Sequence, residues 1–236
     1  MIRRIPIMSC EIIQMNENSW RIEDGGVRFF LLAGTEKALL IDSGMTVSNA
    51  KDIAESITPL PVFLLNTHAD RDHIGSNEQF DTFYMHPLEE PVYRRSEKPG
   101  TIIPVREGMI IDLGNRELEI IELPGHTPGS IAVLDRSHKV LISGDPIQKN
   151  GHIFMFGSHR DMSSYVQSLA KLEQRISEFE EIWPSHADSP VFPETIRMLR
   201  EGAQAILNGT VQGTPTEFRG NRIVVYDLGF CTILYE

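Results

Sequence analysis

The chain has 236 residues, a formal net charge of −11 and 41% hydrophobic residues. This length suits one sizeable α/β domain with a full core, although it also allows two small domains, and we predict a single domain over residues 1–236. The negative charge argues against a general nucleic-acid binder, which needs clustered Lys and Arg to displace counterions. We therefore expect a small-molecule substrate.

The first ten residues contain Arg3 and Arg4 but no apolar core of signal-peptide length. No stretch of the chain reaches the ~20 apolar residues of a membrane helix. These observations predict a cytoplasmic protein that does not bind membranes. Cys10 and Cys231 are too few for a disulfide framework, and we interpret them as buried small hydrophobic residues.

Short strands with one helix are predicted for the first part of the chain, because β-branched and aromatic residues dominate the early apolar runs. Pro59 and Pro61 stop the helix. The predicted order is strands at about 10–15, 27–33 and 37–41, a helix over 47–57, a strand at 62–65, a short helix after residue 74 and a strand at 83–85.

Residues 87–107 contain four prolines and show no clear period, so we predict a helix and loop at the mouth of a cleft. Asp161 is a predicted helix N-cap, with Tyr165, Leu169 and Leu172 along one face of that helix. The remaining predictions are strands at about 109–112 and 116–123, a hairpin of 130–135 with 139–143, a helix from 161 to about 177, a strand before His186, a helix over 193–207, and strands at 222–226 and 229–235.

The most informative segment is Thr67-His68-Ala69-Asp70-Arg71-Asp72-His73, which follows the apolar run at 62–65. It places two imidazoles and two carboxylates within six positions. Both side-chain types are common metal ligands, so this cluster at a strand end predicts a metal site.

Three later segments supply more groups of the same kind. They are centred on His126, Asp145 and His186, and each follows an apolar run with Gly or Pro nearby. Strand ends hold a ligand rigidly, and the loops there can turn sharply. The four segments together predict a centre with two metal ions.

In these motifs the chain resembles the metallo-β-lactamase superfamily, whose hallmark His-x-His-x-Asp-His is followed by a His, an Asp and a last His. The likeness spans residues 20 to 190 approximately. It implies an α/β fold, a four-layer αββα sandwich with a metal pair at the sheet edges. The resemblance also implies the ligands: His68, Asp70 and His126 for the first ion, Asp72, His73 and His186 for the second, and Asp145 as the bridge.

Asp70 departs from the superfamily pattern, which has a second His at this position. Three aspartates and a bridging hydroxide formally neutralise two divalent ions, whereas a His at position 70 would leave one positive charge. We expect two divalent ions with zinc as the first choice, and an oxygen-rich ligand set keeps manganese or iron open.

Two alternatives follow from the same residues. The superfamily's flavodiiron proteins also carry a carboxylate at the position of Asp70, which keeps a non-haem di-iron oxidoreductase open. Such a protein would need a separate electron donor, because no phosphate-binding loop of a flavodoxin follows residue 190. A non-catalytic metal-binding protein is the other alternative.

Hydrolysis is the mechanism we favour, with a metal-bridging hydroxide attacking a small ester, thioester, lactone or phosphoester. Asp72 would be the catalytic residue that orients this nucleophile while ligating one ion. Tyr165 or His152 could protonate the leaving group. The stretch after residue 190 lacks the helical substrate domain of the glyoxalase II branch, so a glutathione thioester is not expected.

Substrate recognition is predicted for residues 146–160, where apolar and cationic side chains lie side by side. Phe154 and Phe156 could equally be core residues, and each histidine could bond only to backbone. Asp42 and Asp188 are interpreted as groups that support ligands or cap turns. The candidate substrate contacts are His152, Phe154, Phe156, His159 and Tyr165.

Overall fold

The computed structural model describes residues 4–7, 10–218 and 220–236. The chain forms two compact units, Met1–Ile120 and Ile121–Glu236. The single domain over 1–236 stays a prediction. Residues 1–3, 8 and 9, part of the stretch on which the predicted lack of an export signal depends, lie outside the described residues. Within the described part of the chain, no helix combines the length and the apolarity needed to cross a membrane.

A mixed sheet forms the centre of the first unit, and its strands follow each other in chain order. The strands are β1 (Arg4–Ile7), β2 (Cys10–Asn16), β3 (Ser19–Asp24), β4 (Val27–Ala33), β5 (Ala38–Ile41), β6 (Val62–Leu65), β7 (Thr82–Met85) and β8 (Thr101–Pro104). The strands from β1 to β5 pair antiparallel, whereas β5 to β8 pair in parallel. The carboxyl ends of β5, β6 and β7 therefore share one edge, where side chains from different loops can meet.

Helix α1 (Ala50–Ile57) is the crossover that parallel pairing of β5 and β6 requires. It buries Ala50, Ile53 and Ala54 against the apolar face of the sheet. Helix α2 (Glu90–Arg94) adds the buried ring of Tyr93 to the same core. The first unit also contains β9 (Ile110–Asp112), 3₁₀ turns at Asn77–Gln79 and Pro87–Glu89, and most of β10 (Glu117–Glu122), which pairs antiparallel with β9.

Most predicted elements of the first unit are confirmed. The strand at 62–65 has the predicted bounds, and helix α1 begins at Ala50 rather than at 47. It begins late because the backbone N–H groups of residues 45–47 donate to the carboxylate of Asp24 in a loop. The prediction of helix and loop over 87–107 was wrong at residues 101–104. These residues form β8, an edge strand that pairs with β7 and ends at Pro104.

Two sheets and two long helices form the second unit. One sheet contains β14, β12 and β11 in that order, and the other has the order β13-β17-β16-β15. Helices α3 and α4 pack with both sheets around a core that includes Leu169, Leu199 and Ile233. The elements are β11 (Ile131–Asp135), β12 (Val140–Gly144), β13 (His152–Met155), α3 (Met162–Glu173), β14 (Glu181–Pro184), α4 (Glu194–Leu207), β15 (Thr214–Phe218), β16 (Asn221–Asp227) and β17 (Thr232–Tyr235), with a 3₁₀ turn at Ile176–Glu178.

The predicted cap of α3 is confirmed, because the side chain of Asp161 accepts a hydrogen bond from the Ser164 N–H at 2.5 Å. The predicted helix face is also confirmed, since Tyr165, Leu169 and Leu172 are buried. Sequence patterns missed β13, which lies within residues 146–160 and pairs in parallel with β17. Four residues between glycine-containing loops carry little periodic signal.

Both cysteines are buried thiols, as predicted. Burial raises the pKa of Cys231 to about 12, and the charge of Asp227 adds to the effect. Burial also raises the pKa of Cys10. Neither thiol is a reactive nucleophile at neutral pH, because the thiolate is the reactive form.

Candidate metal centre

The loop after β6 brings four predicted ligands of the first unit together. His68 Nε2 lies 3.5 Å from Asp70 Oδ2, and His73 Nε2 lies 3.8 Å from Asp72 Oδ1. The two imidazole rings are fully buried, with centroids 4.0 Å apart. The carboxylates are partly exposed, so both imidazole–carboxylate pairs lie where the loop meets solvent.

Asp42 at the end of β5 orients His73. Its Oδ2 accepts a hydrogen bond from His73 Nδ1 at 2.8 Å, and its Oδ1 accepts from the Thr67 N–H at 2.7 Å. The carboxylate has no proton to donate, so the His73 proton is on Nδ1 and Nε2 carries the lone pair that can bind a metal. These contacts agree with the supporting role predicted for Asp42.

Asp42 also controls His68 through a hydroxyl. Thr67 Oγ1 donates to Asp42 Oδ2 at 2.7 Å and lies 3.0 Å from His68 Nδ1. Because the hydroxyl has one proton, His68 Nδ1 must donate to it. One buried carboxylate therefore sets the tautomer of both histidines, and both present Nε2 as the metal-binding nitrogen.

Buried amides and a buried carboxylate hold the backbone of this loop, and sequence analysis missed them. Asn66 Nδ2 donates to the His73 carbonyl at 2.9 Å, and Asn77 Nδ2 donates to Asn66 Oδ1 at 2.8 Å. Glu89 Oε2 accepts from the Ala69 N–H at 2.8 Å. The one available signal was an Asn directly after an apolar strand, which is too common to interpret alone.

In the second unit, the loops after β10, β12 and β14 bring three predicted ligands together. His126 Nε2 lies 3.5 Å from Asp145 Oδ2, and His186 Nε2 lies 3.3 Å from Asp145 Oδ1. His126 and Asp145 are buried, whereas His186 is partly exposed. Asp145 thus directs its two oxygens toward two different imidazoles.

His126 is held at both its ring and its backbone. Its Nδ1 lies 3.0 Å from the Phe154 carbonyl of β13, to which it donates. The Arg160 guanidinium donates to the His126 carbonyl oxygen. His126 therefore presents Nε2 to the carboxylate for the same reason as the histidines of the first unit: a fixed acceptor occupies Nδ1.

These ligand sets fit a divalent ion. A tetrahedral ion with bonds of about 2.0–2.2 Å places neighbouring ligand atoms about 3.4 Å apart. The four imidazole–carboxylate separations are 3.3–3.8 Å, longer than most hydrogen bonds and close to this value. The side chains that belong to groups able to hold a metal ion are His68, Asp72, His73, His126, Asp145 and His186.

Tyr165 was assigned wrongly as a substrate contact. Its ring is fully buried in the core of the second unit, and its hydroxyl donates to the Pro146 carbonyl at 2.6 Å. Burial raises the pKa of Tyr165 well above 10, so the hydroxyl stays protonated. Tyr165 is a packing residue of α3 and cannot serve as the proton donor.

The other candidate substrate contacts lie on or next to β13. His152 is exposed, and its ring is hydrogen-bonded to the Thr232 hydroxyl, while His159 is partly exposed. Phe154 and Phe156 are half-buried and contact each other. The Asp188 carboxylate accepts from Asn150 Nδ2 at 2.8 Å, a contact that links two loops.

Comparisons with known proteins agree on a family. Residues 22–177 match the family model described as the metallo-beta-lactamase superfamily. A crystal structure of a metallo beta lactamase from Erythrobacter litoralis has a TM-score of 0.68 with 18% identity, and the match covers 86% of this chain and 99% of that one. This likeness shows the fold, and the predicted fold class is confirmed.

Curated relatives are named as hydrolases. An acyl-coenzyme A thioesterase MBLAC2 from Gallus gallus is 27% identical over 197 residues, which cover 66% of this chain and 71% of the relative. A hydroxyacylglutathione hydrolase from Pectobacterium atrosepticum is 28% identical over 190 residues, which cover 74% of each chain. Both names describe hydrolysis of a thioester.

Proposed function

The chain belongs to the metallo-β-lactamase superfamily, and from that premise we propose that it hydrolyses small acyl thioesters with the help of two bound divalent metal ions. It is a metal-dependent hydrolase of this superfamily. The observation that carries the proposal is the set of imidazole Nε2 atoms facing carboxylate oxygens at 3.3–3.8 Å, with Nδ1 of His68, His73 and His126 fixed by an acceptor.

We propose that these side chains hold two ions. The first ion would be bound by His68, Asp70 and His126, the second by Asp72, His73 and His186, and Asp145 would bridge both. The two directions in which the Asp145 oxygens point support the bridging assignment. We propose zinc for both ions, since histidine and carboxylate ligands suit it, and Asp70 adds the negative charge that also suits manganese or iron.

When bound, two such ions would lower the pKa of a water molecule and polarise the thioester carbonyl. The protein's part is positional. Asp72 is partly exposed beside buried His73, so its second oxygen can accept a proton from an attacking water and aim it. Asp42 keeps the proton of His73 on Nδ1 directly and that of His68 through the Thr67 hydroxyl, and the Phe154 carbonyl does the same for His126. These protons lie away from the reacting groups.

A thioester is the substrate class that the named relatives favour. The acyl-coenzyme A thioesterase and the hydroxyacylglutathione hydrolase differ in their thiol carrier but share the thioester bond. A thiolate leaves without protonation at neutral pH more easily than an alkoxide, because a thiol is far more acidic. The burial of Tyr165, which removes one predicted proton donor, is compatible with such a leaving group.

The test combines metal content with turnover. Protein would be produced in minimal medium with zinc, manganese or iron, and each form assayed on an acyl-coenzyme A, an acylglutathione, a lactone and a phosphodiester. We expect two ions per chain, thioester hydrolysis, and a loss of about 10²-fold or more in kcat for Asp72→Ala. Asp52→Ala, which changes an exposed carboxylate of α1, is the control and should retain activity.

Two results would contradict the proposal. Thioester hydrolysis that persists without metal, or in Asp72→Ala, would exclude the mechanism. Two irons that cycle with oxygen while every thioester stays intact would support the oxidoreductase instead.

A further inference from the structure

Three phenylalanine rings form an aromatic cluster on the four-stranded sheet of the second unit. Phe154 belongs to β13, Phe156 follows it, and Phe218 ends β15. The ring centroids lie 5.6–5.9 Å apart in all three pairs, within contact distance for aromatic side chains. Each ring is only half-buried. We refer to this cluster as the aromatic platform.

The platform lies on a concave surface. Strands β13 and β15 are the two edges of the sheet, so three strand spacings, about 14 Å in a flat sheet, separate them. The Phe154 and Phe218 rings nevertheless lie 5.6 Å apart. The register adds an offset along the strands, because Phe154 is level with Thr214 and Phe218 lies four residues beyond it. The β15–β16 hairpin therefore curls toward the face of the sheet that carries Phe154.

A groove lies on the β15–β16 hairpin, whose strand β15 ends at Phe218. Its volume is about 470 Å³, within the range of small-ligand sites. Ile223 and Leu234, which lie on the same sheet face as Phe154, are almost fully buried. The groove is lined by Pro215, Thr216, Glu217, Arg222, Ile223, Val224 and Glu236.

The charges of the groove select its ligand. The lining contains two carboxylates, those of Glu217 and Glu236, and one cation, Arg222, so the formal charge of these side chains is −1. This charge disfavours the phosphates or carboxylates of an anionic thiol carrier. The apolar part of a substrate meets no such penalty, and burying it against the half-buried rings is favourable.

The platform is also connected to the candidate metal centre. The Phe154 carbonyl accepts the hydrogen bond from His126 Nδ1, so one residue both orients a proposed metal ligand and contributes a ring to the platform. We propose that the platform binds the apolar acyl chain of the substrate. This inference rests on the proposed thioester hydrolysis and adds which end of the thioester lies on the sheet.

Binding can be measured without turnover. The probe is the S-octyl thioether of N-acetylcysteamine, an uncharged compound that cannot be hydrolysed at this position, titrated calorimetrically into the full-length chain. We expect at least tenfold weaker binding to Phe218→Ala and to Phe156→Ala than to the natural sequence. Phe192→Ala is the matched control, because this exposed ring precedes α4 and is not part of the platform.

Turnover gives the second measurement. For acetyl, butyryl, hexanoyl and octanoyl thioesters of N-acetylcysteamine, kcat/KM should rise by up to about fourfold per added methylene, the equivalent of ~0.8 kcal/mol. Phe218→Ala should lower the octanoyl-to-acetyl ratio at least tenfold, and Phe192→Ala should not. Circular dichroism and thermal unfolding would check that both variants fold.

The outcomes separate the two proposals. Hydrolysis without chain-length dependence, or equal binding of the thioether by all variants, would overturn the platform while the hydrolase stands. Thioether binding that depends on Phe218 in a protein that cleaves no thioester would support the platform and contradict the function.

Discussion

Replacing Asp42 by Asn should reverse the tautomers of two histidines at once. The carboxylate accepts from Thr67 Oγ1 and His73 Nδ1 through one oxygen and from the Thr67 N–H through the other. In the variant, the amide oxygen can still accept from the Thr67 N–H, but the NH₂ group then faces the other two partners as a donor. His73 Nδ1 becomes an acceptor, and its proton moves to Nε2.

The same reversal would pass through the Thr67 hydroxyl to His68. Once Thr67 Oγ1 accepts from the amide, its proton points to His68 Nδ1, and the His68 proton also moves to Nε2. Neither histidine then offers a lone pair to an ion. Loss of such a supporting group costs about 10–100-fold in metal affinity, which is about 1.4–2.7 kcal/mol.

Asn is the right substitution because Asp42 has a φ of +66°. Asn and Asp tolerate this left-handed backbone better than most residues do, so the variant should fold. Exchange of three charge-assisted hydrogen bonds for neutral ones should cost about 3 kcal/mol of stability in the metal-free protein.

The assay is a competition titration of metal against a chromophoric chelator, with ¹⁵N NMR of the histidine rings in the metal-free protein. Asp52→Asn, an exposed carboxylate on α1, is the control. We expect Asp42→Asn, but not Asp52→Asn, to bind metal more weakly and to carry the protons of His68 and His73 on Nε2. Unchanged affinity and stoichiometry in Asp42→Asn would refute the tautomer argument.

Three further predictions concern residues that stabilise the fold. Gly125→Ala should lower stability by about 3 kcal/mol and reduce metal content, because Gly125 has a φ of +138° and a Cβ there would lie 2.4 Å from the Tyr165 Cα. Chemical denaturation and metal analysis would check this, and a variant as stable as the natural protein would contradict it. Arg116→Met should lower the free energy of unfolding in urea by about 3 kcal/mol. The buried guanidinium donates to the carbonyls of residues 18 and 33 and to the hydroxyl of residue 19, and these acceptors would lose their partner. A loss under about 0.5 kcal/mol would argue against this role. Burial raises the pKa of Asp24, but hydrogen bonds from the Thr46 hydroxyl and the N–H groups of residues 45–47 outweigh burial and hold this pKa below 3.8. The stabilisation by the ionised Asp24 is therefore complete above pH 3.8 and is lost as the pH falls through the lowered pKa. In denaturation curves, the difference in stability between the natural protein and Asp24→Asn should stay constant from pH 7 to about 4 and shrink below it. A difference that does not change with pH would contradict the lowered pKa.

Local sequence patterns were sufficient wherever neighbouring residues decide the structure. The apolar run at 62–65 between Pro61 and the polar motif predicted β6 with its observed bounds. Asp161 predicted the start of α3, since a cap acts on N–H groups only three residues away. The motif residues also indicated the family, because the spacing of ligand types along the chain is itself a sequence property.

Patterns failed where distant pairing decides the structure. Strand β3 was not predicted although residues 19–23 alternate polar and apolar side chains, because so short a run contains only two apolar residues, Trp20 and Ile22. It forms because β2 and β4 pair with both its sides. Strand β13 has four residues and pairs with β17, about 80 positions later. Tyr165 was read as a substrate contact because its hydroxyl is polar, but tertiary packing gives that hydroxyl the Pro146 carbonyl as its acceptor.

The sequence by itself determined which residue types are present and in what order: the histidines and aspartates at strand ends, the apolar runs before them and the negative net charge. Only the tertiary structure decided how each ligand is oriented. His73 depends on Asp42, which lies 31 positions earlier, and His126 depends on the Phe154 carbonyl, 28 positions later. A hydrogen bond between distant residues exists only after the strands that carry them have paired, so no local pattern records it.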